Sequence, residues 1–118
     1  MIVIKGKREK SAHIENVIRK EFRTHNVLIM DAAEKGVRRW TEGHWATIWT
    51  LDEYPTFENA IKSFENGYDT VKEFDWIVLH FNSIEDSIEK YKELDRKYPQ
   101  NFIVTIQSDD SRTSKYFI

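Results

Sequence analysis

The chain has 118 residues, 40% hydrophobic and 32% charged, which fits a single domain over residues 1–118 and is too apolar for a disordered segment. Its lack of cysteine excludes a disulfide scaffold, a thiolate zinc site and a cysteine nucleophile, and its apolar runs of four or five residues are too short to cross a membrane as a helix. The net charge of −2 hides an asymmetry: residues 1–40 hold ten Lys/Arg against five Asp/Glu, a basic third that can attract phosphate or simply solvate a helix face.

In chain order, the unalternated apolar run at 2–4 predicts a strand buried on both faces of a parallel sheet. After the polar turn at 6–11, Ile14, Val17, Ile18 and Phe22 recur at spacings of three and four and predict one helix running to about Arg23. Residues 27–30 predict a second buried strand ending at Asp31. Gly36 and Gly43 punctuate the next stretch, and a strand is expected at about 45–50. Pro55 and Thr56 open a helix with Phe57, Ala60, Ile61 and Phe64 on one face and Gly67 near its end. A helical turn within 68–74 and a strand at 76–79 follow. Ser83 with Asp86 makes a capping box for a long amphipathic helix stopped by Pro99; a strand at 102–106 and an edge strand at 115–118 complete the chain. The expectation is an α/β domain of three layers, α/β/α, around a mainly parallel sheet of four or five strands.

Ligands of such sheets bind beyond the carboxyl ends of the strands. That rule nominates the segments 6–11, 31–34, 80–83 and 107–110 as one edge, with Asp31, His80, Asn82 and Gln107 as its candidate side chains. The segment IVIKGKREKSAHIENVI at 2–18 places a strand, a glycine, and then Lys10 and Ser11 directly before a helix. It resembles a P-loop, and the resemblance makes Gly6, Lys10 and Ser11 phosphate-binding candidates. The family pattern GxxxxGK[ST] is here GKREKS, two residues shorter and without the second glycine.

The resemblance to RecA-like P-loop ATPases extends over residues 2–110: NVLIMDAAEKG looks like their second strand, FDWIVLHFNS like their Walker B strand, and NFIVTIQSDD like the strand that ends in a polar sensor residue. His80 stands where this resemblance places the Walker B aspartate, and a histidine does not replace a carboxylate around Mg²⁺. The implied protein is P-loop NTPase-like with a degenerate Walker A motif and no assigned catalytic residue, its hydrolysis lost. ATP with Mg²⁺ enters only if it is a small ATPase after all. Residues 2–9 and 28–36 also resemble a toprim domain, but Lys5 occupies its metal-binding glutamate position and Ala33 its second aspartate.

The four histidines have no metal-ligand spacing, so no metal is expected. Trp40, Trp45 and Trp49 lie close to Arg38 and Arg39, a combination that stacks single-stranded bases, anchors a protein interface or packs a core. The leading expectation is a non-catalytic domain in the cytoplasm that binds a protein partner, in nucleic-acid processing. The alternatives are the nucleotide-binding ATPase and a single-stranded nucleic-acid-binding module. The start MIVIKGKREK has no signal-peptide order, and no membrane partner is expected.

Overall fold

A computed structural model of the chain describes residues 1–7, 10–21, 23, 26–31, 46–51, 56–80, 88–109 and 112–118. The apolar runs form the strands β1 (Ile2–Gly6), β2 (Val27–Asp31), β4 (Trp76–His80) and β5 (Asn101–Gln107), and two more polar segments, β3 (Thr47–Thr50) and β6 (Ser114–Phe117), pair at the edges. The sheet therefore has six strands, in the order β3-β2-β4-β5-β1-β6, rather than four or five. All pairs are parallel except β1 with β6.

Helix α1 (Lys10–Asn16) packs Ile14 onto one face of this sheet, against Ile2, Ile4, Ile29, Val78 and Ile103. It does not run on as a regular helix. Residues Val17–Glu21 widen into a π-helical turn, and Val17 and Ile18 are both buried on the same face. Arg23 follows in the left-handed region at φ 53°.

The opposite face carries α2 (Phe57–Asn66), α3 (Tyr68–Val71) and α4 (Ile88–Lys97). Helix α2 starts where Thr56 Oγ1 accepts from the Asn59 amide at 3.1 Å, and its buried residues Phe57, Ala60 and Phe64 follow the helical period. Phe64, fully buried, meets Tyr98 and Phe102 edge-on at centroid distances of 4.9 and 5.7 Å. A ring burial of this kind contributes about 1.5–3 kcal/mol beside the aromatic contacts. The expected capping box at Ser83 and Asp86 lies outside the described residues. The Cα radius of gyration is 13.0 Å, and no described helix is long and apolar enough to cross a membrane.

Connectivity sets which face of the sheet each helix covers. From β1 the chain crosses two strand positions to β2 over the α1 face; from β3 it returns through α2 and α3 to β4, and through α4 to β5, over the other face. Reversing direction demands this change of face when parallel crossovers are right-handed. In open α/β sheets ligands bind beyond the carboxyl ends of the strands, where connections to the two faces diverge.

Candidate functional site

Strand alternation builds the site. In β2, β4 and β5 the residues facing α1 are Ile29, Val78 and Ile103, and two positions on the same face carries Asp31, His80 and Thr105. Asp31 pairs in register with His80, and since Leu79 pairs with Val104, Thr105 lies on the other side of His80. Thr105 pairs in turn with Ile4 of β1, and Gln107 with Gly6. A polar row thus crosses three central strands just where the apolar layer under α1 ends.

The row is buried. Among the described residues the buried polar or charged side chains are Lys10, Asp31, His80, Gln100 and Thr105, and four of these five belong to this edge. His80 Nδ1 lies 3.0 Å from Asp31 Oδ1, with Asp31 fully enclosed. Apolar residues of similar volume often hold a core as well as such a pair, whereas removing one partner alone is costly. The Thr105 hydroxyl donates to the Leu79 carbonyl at 3.4 Å, tying β5 to β4 beside the pair.

Lys10, the first residue of α1, turns back over the end of β1. Its amine donates to the Gly6 carbonyl at 3.0 Å and to Gln107 Oε1 at 2.6 Å. The side chain is 5% exposed, and its burial holds the ammonium below the usual lysine value. Both acceptors are neutral oxygens, and among the described residues no carboxylate pairs with this amine. Gln107 in turn donates to the Lys7 carbonyl at 3.4 Å, and the Ser108 amide donates to Gly6 O at 3.1 Å, so the turn after β1 is laced to the end of β5. A side chain at Gly6 would meet Thr113, whose Oγ1 lies 2.8 Å from an ideal Cβ, so the loop before β6 closes over this turn.

The candidates from the sequence divide into three groups. Gly6, Lys10 and Gln107 come together, Asp31 and His80 pair one and two strands away, and Ser11 is the second residue of α1. Trp49 packs half-buried on the α2 side of the sheet, its ring 2.8 Å from where a Cβ on Gly67 would stand. Arg38, Arg39, Trp40, Trp45 and Asn82 lie outside the described residues. Among the described residues no group of three or more His, Cys, Asp or Glu is arranged to hold a metal ion.

Sequence reasoning missed Thr105 and both side-chain pairings. Thr105 had a signal, as the one polar residue inside the run FIVTI. Comparison of the chain with family models, with curated proteins and with solved structures yields no significant match.

Proposed function

We propose that this chain is a P-loop-like domain that holds a phosphate group at Lys10 without hydrolysing it, and that acts through a protein partner which reads the bound state. The observation that carries the reading is the Lys10 amine, enclosed between two neutral oxygens at the carboxyl ends of β1 and β5. Three local preferences are set aside at this one residue. A lysine is buried, its charge has no described counter-ion, and it begins a helix, where the macrodipole favours an acid. Concentrated conflict with local rules is the mark of a functional position. A lysine amine held beside the backbone turn that follows a strand suits phosphate.

The non-hydrolytic part rests on donor chemistry. The position that the resemblance assigns to a metal-binding aspartate holds His80, engaged with Asp31. Mg²⁺ prefers hard oxygen ligands. A domain that binds without turnover has an effect only through a second macromolecule that senses occupancy.

Titration calorimetry with inorganic phosphate tests the reading. Binding to the native chain that falls at least tenfold in Lys10→Met is expected; equal affinity in both, or none in either, overturns it. Phosphate release from Mg-ATP that Lys10→Ala abolishes would overturn the claim of no hydrolysis.

A further inference from the structure

On the face of the sheet opposite α1, side chains bridge α2 and α4 at two points. Lys90 Nζ donates to Glu58 Oε1 at 2.8 Å, and Lys97 Nζ donates to Glu65 Oε2 at 2.6 Å, an oxygen that also accepts from the Tyr98 hydroxyl. Both bridges join residues 32 positions apart, so the two helices run in the same direction and in step. Seven residues of helix separate the bridges by about 10.5 Å. Between them lies a cavity of about 310 Å³, at the small end of the range for ligand sites.

The cavity has an apolar base and charged walls. Phe57 and Leu94, both buried, and the half-buried Ile61 and Tyr98 supply the base. The same offset that aligns the bridges sets Lys62 of α2 level with Leu94, one residue from Glu93 of α4, and both charged side chains line the cavity. Among the described residues neither Lys62 nor Glu93 makes a hydrogen bond or an ion pair. Lys62 acts on Glu58 only through space, adding to the bonded Lys90 in holding that carboxyl below its usual range. An ammonium and a carboxylate thus stand on opposite walls over an apolar surface.

We propose that this cavity takes a free α-amino acid with a large apolar side chain. Its carboxylate meets Lys62, its ammonium meets Glu93, and its side chain lies on Ile61 and Tyr98. The lining is balanced in charge, Lys62, Lys90 and Lys97 against Glu58, Glu65 and Glu93. A simple anion would answer Lys62 and face three carboxylates, and a simple cation would answer Glu93 and face three ammonium groups. A zwitterion satisfies both walls at once, which is how the site selects it. For a ligand the size of phenylalanine on a solvent-facing site, the expected Kd is on the order of 1 mM. The site lies on the other face from α1, so its test does not depend on phosphate binding at Lys10.

The test titrates L-phenylalanine, L-phenylalaninamide and N-acetyl-L-phenylalanine into the native chain and follows the Ile61 methyl and Tyr98 ring signals by NMR. The amide lacks the ligand carboxylate and the acetyl derivative lacks the ammonium, while the side chain is the same in all three. Phenylalanine is expected to move both sets of signals and to bind about fivefold more tightly than either analogue, the upper worth of one exposed charge pair. Lys62→Met is expected to erase the preference over the amide, and Glu93→Gln the preference over the acetyl derivative. Both residues are exposed, so neither change removes a core contact. If phenylalanine moves neither set of signals, if the three compounds bind alike, or if either preference survives its matching variant, the amino acid assignment is overturned.

Discussion

Replacing Lys10 with methionine should make the protein more stable and unable to hold phosphate. The lysine stem is buried and a methionine of similar length fills the same space, so little cavity is left. Lost with the amine are two hydrogen bonds from a charged donor, typically about 1.5–3 kcal/mol each net of exchange with water. Neither acceptor is stranded: Gly6 O keeps the Ser108 amide at 3.1 Å, and the half-exposed Gln107 can turn to water. Removed as well is the cost of enclosing an ammonium with no described counter-ion, several kcal/mol per ion. On the phosphate reading the enclosure cost outweighs these bonds when no anion is bound, so Lys10→Met is expected to be the more stable protein at pH 7, read as a higher Tm. The pH dependence has a definite sign. Burial lowers the folded pKa below the 10.5 of the free side chain, so between the two values the unfolded chain binds more protons and native stability rises with pH. The advantage of Lys10→Met is therefore complete below the lowered folded value and shrinks as pH climbs from there towards 10.5. Urea denaturation of both proteins at pH 7 and at stepped alkaline pH measures this. A Lys10→Met protein less stable by 1 kcal/mol or more, or a difference indifferent to pH, would show that Lys10 is a structural tether and would refute the functional reading.

Four further outcomes are expected. Asp31→Ala leaves His80 with a lost partner in an enclosed site and should cost about 3–5 kcal/mol, while the double change Asp31→Leu with His80→Leu should recover most of it, both read by urea unfolding. Arg23 stands at φ 53°, so Arg23→Gly should raise stability by about 1 kcal/mol in thermal unfolding. Gly67→Ala drives a methyl against the Trp49 ring and should cost about 1–3 kcal/mol, a loss that largely disappears in a Trp49→Ala background if the contact is its cause. Glu65 is held below the usual carboxylate range by Lys97 and then Tyr98, so its contribution is present above the free carboxylate pKa and is lost as pH falls through the lowered folded value; NMR titration should place the Glu65 midpoint below the free glutamate value, and a Tyr98→Phe change should move it back upward.

The order of elements was legible because its signals are local. Unbroken apolar runs mark β2 and β4, and the spacing of Phe57, Ala60 and Phe64 behind a Thr56 cap marks α2. The edge strands were harder, since TIWT and SKYF mix polar with apolar residues and owe their form to a neighbour. The π-helical turn was invisible, as Ile14, Val17 and Ile18 fit an ordinary helical stripe whether or not the helix widens. Site membership was half legible for a related reason. Residues at strand ends could be nominated together, but which ones touch depends on strand order. Asp31 and His80 are 49 positions apart, and Lys10 and Gln107 are 97 apart. Nothing in their local surroundings names the partner.

That last separation bears on how the protein folds. Lys10 and its acceptor on Gln107 are 97 positions apart, and β5 pairs with β1 in parallel. Bringing β1 and β5 together therefore closes a long loop, an entropically demanding step of folding. Until that pairing forms, the Lys10 amine has neither the end of β5 to donate to nor the enclosure that buries it. Solvent protection of Lys10 is thus a reporter of the longest-range closure in the sheet.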